Sequence, residues 1–155
     1  MKVKSVTTYL NENNMPYLVA EETPYVVDGR KKHDNSEAIY ELTKQTRMVD
    51  RATEMVMLFI FDSAFHLIAM NPVSTGSIDR SIVDVRSIAQ TVLLAGGKSC
   101  IMAHNHPSGD TTPSDMDIAI TTRLQKGLEL VGISLVEHLV VGKYGYTSLK
   151  EMGII

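Results

Sequence analysis

The sequence lacks several features that mark whole classes of protein. Its 155 residues include no tryptophan and a single cysteine, Cys100. A lone cysteine cannot form an internal disulfide, which excludes a disulfide-stabilised extracellular domain and favours a reducing, cytoplasmic location. The longest apolar run, 55–61, is far shorter than the ~20 residues of a membrane-spanning helix. Because the N-terminus also lacks the apolar core of a signal peptide, we expect no membrane segment.

The chain also lacks an excess of positive charge. Fifteen lysines and arginines stand against 18 aspartates and glutamates, a formal net charge of −3. Bulk electrostatics therefore do not favour binding to a nucleic acid, and the few aromatic residues give little sign of a base-stacking surface. Scattered basic residues such as Arg47 and Arg51 are the remaining basis for a nucleic-acid contact, although a solvated surface is their more common role.

Apolar periodicity predicts strands and helices that alternate after the first third of the chain. The predicted strands cover 55–61, 65–70, 100–103, 133–141 and 144–149, and the predicted helices cover 36–47, the stretch between Asp84 and Gly96, and 114–130. Asp34 and Glu37 have the spacing of a capping box ahead of the first helix. Residues 1–34 are polar and irregular, so an N-terminal arm or edge strand is expected there, followed by one domain at 35–155. The simplest architecture is an α/β sandwich with a mixed sheet.

The segment HNHPSGDTTPSDMD, residues 104–117, concentrates side chains that can bind a metal. His104 and His106 end a predicted strand two residues apart, so their rings share one face with Cα atoms ~6.6 Å apart. Asp117 lies in the first turn of the next predicted helix, from which its carboxylate can turn back to the strand end. Three protein ligands leave the fourth position of a zinc ion open for water, as in catalytic sites. The spacing thus predicts a catalytic Zn²⁺ site.

A larger pattern surrounds these ligands: Glu54, then His104-x-His106, seven residues, and Ser114-x-x-Asp117. It resembles the JAMM motif of the JAB/MPN metalloproteases and is most similar to the bacterial RadC family through the run HNHPSGD. The resemblance spans about residues 36–152. It implies a three-layer α/β sandwich of the cytidine-deaminase-like JAB/MPN type, with a mixed central β-sheet. It also implies zinc bound by His104, His106 and Asp117, Glu54 as general base, and Ser114 as a catalytic group that holds the water or the oxyanion.

The sequence departs from the usual family pattern at three positions. Val85, Ser87 and Glu137 stand where the family usually has proline, an acid and aspartate, respectively. None of these positions is a predicted metal ligand, so the departures concern substrate contacts and local packing. Because only about 35 residues precede the resemblance, we expect no counterpart of the helical domain that often precedes the catalytic domain in full-length RadC proteins.

Several of these residues have a second interpretation. Ser114 and Asp117 have nearly the spacing of a helix capping box, so Ser114 is expected to cap the helix whatever else it does. His138, in a later apolar strand, is either a buried core histidine or a partner of a metal ligand. Cys100 lies ~13 Å along the strand from His104, so the two cannot form the pair that a cysteine hydrolase needs.

Two classes of function remain. The first is a zinc-dependent hydrolase that cleaves a peptide or isopeptide amide bond of an unknown protein or peptide substrate. The alternative is a nucleic-acid-interacting module, associated with DNA repair or a mobile element, without hydrolase activity. Spare edge strands would also allow a homodimer.

Overall fold

The computed structural model describes residues 3–23, 27, 33, 35–75 and 83–155. Within this part of the chain seven strands and three α-helices form, with one short 3₁₀ helix at Met48–Asp50. The strands are β1 (Lys4–Leu10), β2 (Pro16–Glu22), β3 (Met55–Phe61), β4 (Leu67–Thr75), β5 (Ser99–Asn105), β6 (Ser134–Gly142) and β7 (Gly145–Ser148). The helices are α1 (Ser36–Gln45), α2 (Val85–Leu94) and α3 (Asp115–Glu129).

All seven strands belong to one sheet in the order β2-β1-β4-β3-β5-β6-β7. Neighbouring strands are antiparallel except for the parallel pairs β1 with β4 and β5 with β6. The predicted mixed sheet is therefore confirmed, and so is the predicted hairpin between 55–61 and the strand that follows it.

Strand β3 is the centre of the molecule, and each of its seven residues is buried. Because side chains alternate between the two faces, Met57, Phe59 and Phe61 pack in a cluster with α1 on one side. Val56 and Leu58 pack on the other side in a cluster that includes residues of α2 and α3. Helices thus cover both faces, which confirms the three-layer α/β arrangement.

The N-terminal residues form a hairpin at one edge of this sheet. β1 and β2 pair over their whole length, whereas β1 meets β4 only at Lys4 and Ser5. Val27 is buried in the cluster that contains α1. The described part of residues 1–34 therefore contributes two strands to the sheet and three residues, Val3, Val6 and Val27, to its core.

Side-chain caps fix the starts of the helices. Asp84 accepts a hydrogen bond from the Ser87 amide and caps α2, as its position predicts. The N-cap of α1 is Asn35, whose side chain accepts from the Ala38 amide. The predicted cap, Asp34, lies outside the described residues. Among the described helices none is long and apolar enough to cross a membrane.

Candidate metal centre

Two histidines project from the carboxyl end of β5. His104 lies opposite Val56 of β3 and is fully buried, while 17% of the His106 side chain is exposed. Their Nε2 atoms are 3.0 Å apart. The alternation of side chains along the strand, which suggested that both rings share a face, produces this convergence.

Asp117 approaches the two rings from the first turn of α3. Its Oδ1 lies 3.4 Å from His104 Nε2, and its Oδ2 lies 3.5 Å from His106 Nε2. One ligand atom from each of these three side chains lies within 4.8 Å of the others. The structure therefore brings together the three side chains that the sequence predicts as metal ligands.

Ser114 orients the Asp117 carboxylate. Its amide and its hydroxyl both donate to Asp117 Oδ2 at 2.7 Å, and its Oγ accepts from the Asp117 amide at 3.1 Å. This reciprocal pair is a capping box at the start of α3, so the capping prediction for Ser114 is confirmed. Because Oδ2 already accepts two hydrogen bonds, Oδ1 is the oxygen with more free lone-pair capacity toward the histidines.

Asp117 keeps its negative charge despite its burial. Burial by itself raises the pKa of the carboxyl group, but hydrogen bonding and charge from His104, with the two Ser114 donors, outweigh it and bring the pKa well below its ordinary value. The carboxylate is thus in the form that binds a cation.

A backbone carbonyl in the following loop orients His106. The Asp110 carbonyl oxygen lies 2.7 Å from His106 Nδ1. Since a carbonyl can only accept, Nδ1 carries the proton, and neutral His106 presents the lone pair of Nε2 to the cluster. The loop is ordered by its own hydrogen bonds, from the Gly109 amide to the His106 carbonyl and from the Thr112 amide to the Asp110 side chain.

Behind His104 lie two further polar residues. His104 Nδ1 is 2.7 Å from His138 Nε2, and His138 Nδ1 is 2.5 Å from Thr121 Oγ1. Burial, followed by the nearby His104 charge, lowers the pKa of His138 well below its usual value, so this ring stays neutral. Sequence reasoning left the role of His138 open and missed Thr121. The available signal was spacing, since Thr121 follows Asp117 by four residues and therefore shares its helix face.

Glu54 lies at the mouth of the cluster. It immediately precedes β3, and continuing the pairing of Val56 with His104 places it beside His106. With His106, Ser114 and Asp117 it lines a cavity of about 350 Å³. A carboxylate, two of the three candidate ligands and a hydroxyl therefore share one solvent-accessible space.

The cluster has the donor chemistry that zinc needs. In proteins, zinc is bound by imidazole nitrogens and carboxylate oxygens ~2.0–2.2 Å away, and three protein ligands leave a fourth position open. The Nε2 atoms of His104 and His106 are 3.0 Å apart, and Asp117 faces the first with Oδ1 at 3.4 Å and the second with Oδ2 at 3.5 Å. Because one ligand atom from each residue lies within 4.8 Å of the others, two imidazole nitrogens and one carboxylate form a group that could hold a zinc ion.

The burial of Cys100 argues against a cysteine hydrolase. Cys100 is buried on β5, and burial raises the pKa of its thiol to about 12. The thiolate that a cysteine nucleophile requires is therefore absent at neutral pH.

The fold and the cluster together define a class of protein. A three-layer α/β domain with a His-x-His strand end and an aspartate in the next helix has the architecture of a JAB/MPN domain. The family model described as the RadC-like JAB domain matches residues 33–154. The chain belongs to the RadC family, as the resemblance in its sequence suggests.

Curated relatives agree with this assignment. A UPF0758 protein of Thermotoga maritima is 37% identical over 79% of this chain and 54% of its own length. A UPF0758 protein of Syntrophomonas wolfei is 38% identical over 81% of the chain and 53% of its own length. One from Methanosarcina acetivorans is 34% identical over 84% and 57%, respectively. The chain spans about half the length of these relatives.

Proposed function

We propose that the chain is a zinc-dependent hydrolase that cleaves a peptide or isopeptide amide bond. The observation that carries this proposal is the convergence of His104, His106 and Asp117, whose ligand atoms lie within 4.8 Å of one another, beside a cavity lined by Glu54. Zinc held there would lower the pKa of water and polarise a carbonyl group. The requirements left to the protein are proton transfer and stabilisation of negative charge.

In this proposal Glu54 moves the proton. Hydrolysis adds water to the carbonyl carbon and breaks the C–N bond, so one proton must leave the water and another must reach the departing nitrogen. A carboxylate that shares the cavity with His106 and Asp117 can accept the first proton and return it.

Ser114 has the means to stabilise the oxyanion without releasing Asp117. Both its amide and its hydroxyl donate to the same carboxylate oxygen at 2.7 Å. If the hydroxyl turns to a substrate oxygen, the amide still holds Asp117. A donor aimed at the developing negative charge is the usual device for this step.

The test compares three proteins purified without chelators: wild type, His106→Ala and Glu54→Gln. We expect about one zinc per chain in the wild type and in Glu54→Gln, and none in His106→Ala, by elemental analysis. Turnover of a library of peptides and isopeptides, read by mass spectrometry, should occur only in the wild type. Zinc-free wild-type protein that takes up no added zinc would refute the proposal.

The alternative, a nucleic-acid-interacting module, predicts a different pattern in the same three proteins. Salt-dependent DNA binding would then survive in both variants, and none of the three would cleave an amide bond. Turnover that persists in Glu54→Gln would instead leave a hydrolase but remove Glu54 as its base.

A further inference from the structure

A chain of hydrogen bonds runs from the back of His104 into the protein core. It passes from His104 through His138 and Thr121 to the backbone carbonyl of Asp117. We propose that Thr121 and His138 are positioning residues that hold His104 in the tautomer with its Nε2 lone pair directed at the metal. This inference rests on the metal site of the proposed function.

The direction of the chain is fixed at its inner end. Thr121 Oγ1 lies 2.6 Å from the Asp117 carbonyl oxygen, which can only accept, so the single hydroxyl proton of Thr121 is donated there. The hydroxyl oxygen must then accept from its other partner. That partner is His138 Nδ1 at 2.5 Å, which therefore carries the ring proton.

The same reasoning carries on to the ligand. A neutral His138 protonated at Nδ1 has a lone pair at Nε2, so it accepts the bond of 2.7 Å from His104 Nδ1–H. In the neutral form that binds a metal, His104 then has its proton on Nδ1 and its lone pair on Nε2. That Nε2 is the atom that faces Asp117 Oδ1 and His106 Nε2.

Because these side chains are buried, no bulk water can replace a missing hydrogen-bond partner, so the hydrogen bonds determine the tautomer of His104. His104 and Thr121 are 0% exposed and His138 is 1% exposed. Asp117 takes part at both ends of this hydrogen-bond chain, because its carboxylate faces the metal position and its backbone carbonyl accepts from Thr121. One ligand thus anchors the tautomer of another through the core.

Removing the Thr121 hydroxyl should let the direction of these hydrogen bonds reverse. With no acceptor at Nδ1, His138 would carry its proton on Nε2 and donate to His104 Nδ1, which moves the His104 proton to Nε2. For zinc to bind His104 Nε2, both rings would have to return to their Nδ1-protonated forms, which leaves the buried His138 Nδ1–H without an acceptor. Loss of a hydrogen-bond partner behind a metal-binding histidine typically weakens metal affinity ~10–100-fold.

The experiment measures zinc affinity by competition with a chelator for wild type, Thr121→Val and Thr121→Ser. Valine has the shape of threonine without the hydroxyl, and serine keeps the hydroxyl. We expect Thr121→Val to bind zinc ~10–100-fold more weakly, with serine close to wild type. Thr121→Val should also lower the metal-free melting temperature, since it removes two buried hydrogen bonds. Zinc affinity is the deciding measurement, because a purely structural role would lower the melting temperature without changing zinc affinity.

A second measurement does not depend on any variant. Nitrogen-15 spectra of the histidine rings in zinc-loaded wild type should show His104 and His138 both protonated at Nδ1. A His138 protonated at Nε2, or a Thr121→Val affinity within twofold of wild type, would overturn the inference. If the wild type binds zinc and Thr121→Val is unchanged, the inference fails alone, whereas a wild type that binds no zinc refutes the metal site as well.

Discussion

The two histidines of the metal centre stand two residues apart, yet different parts of the molecule hold them. His104 is fully buried, and its second nitrogen meets a side chain of β6. His106 is partly exposed, and its second nitrogen meets a carbonyl of its own loop. The position of His104 is therefore set by the packing of sheet and helix, and that of His106 by the conformation of a short loop.

The first prediction, which has the largest expected effect, compares how much stability the protein loses when each histidine is replaced. His104→Ala removes a buried ring and leaves His138 Nε2 without its partner, so the metal-free protein should lose ~2–4 kcal/mol of unfolding free energy. His106→Ala removes a partly exposed ring whose loop carbonyl can turn to water, and should cost less than ~1 kcal/mol. Urea unfolding with a chelator present measures both.

Both variants should lose zinc binding, so the contrast lies in stability alone. Equal losses of stability would break the comparison, because the two histidines would then be supported to the same degree. His104→Gln, which keeps a polar side chain in the core, extends the test if His104→Ala does not fold.

The second prediction concerns how closely the His106 loop packs on the sheet. A Cβ added at Gly142, the last residue of β6, would lie 2.9 Å from the Gly109 carbonyl oxygen and 3.1 Å from Thr111 Cγ2. Gly142→Ala should therefore push the loop outward and cost ~1–3 kcal/mol. Zinc affinity should fall several-fold, since the displaced loop carries the carbonyl that orients His106.

Gly145 supplies a matched control in the adjoining strand. A Cβ there would meet nothing within 4 Å, so Gly145→Ala should leave both stability and zinc affinity unchanged. Zinc affinity of Gly142→Ala equal to that of Gly145→Ala would show that the loop tolerates the shift, and that His106 needs less support than the structure indicates.

The fold was predictable from sequence where apolar patterns are strong. The run 55–61 is buried on both faces and matches β3 residue for residue. β1 escaped detection because a strand that is only partly covered has little alternation, and Val6 is its one buried residue. The strand predicted at 65–70 begins two residues later, at Leu67, and continues to Thr75.

From periodicity alone the site was predictable only where it is local in sequence, since Glu54 was named through the family resemblance. His104, His106 and Asp117 lie within one segment, so strand and helix periodicity sufficed to bring them together. His138 required the pairing of β5 with β6, whose register shifts between Cys100 and Ile101. The sequence does not reveal this register shift, and the residue that neighbours His104 on β6 cannot be predicted without knowing the register.

The third prediction, which has the smallest expected effect, tests whether hydrogen bonds within the loop that follows His106 hold its conformation. The Asp110 side chain accepts from the Thr112 amide at 2.9 Å, a bond that helps shape the backbone beside His106. Asp110→Ala removes the acceptor and should weaken zinc binding a few-fold, while Asp110→Asn keeps a side-chain oxygen and should stay near wild type. Because neither change reaches the core, the metal-free stability should not move in either variant. Asparagine as damaging as alanine would mean that the negative charge of Asp110, rather than its hydrogen bond, supports His106.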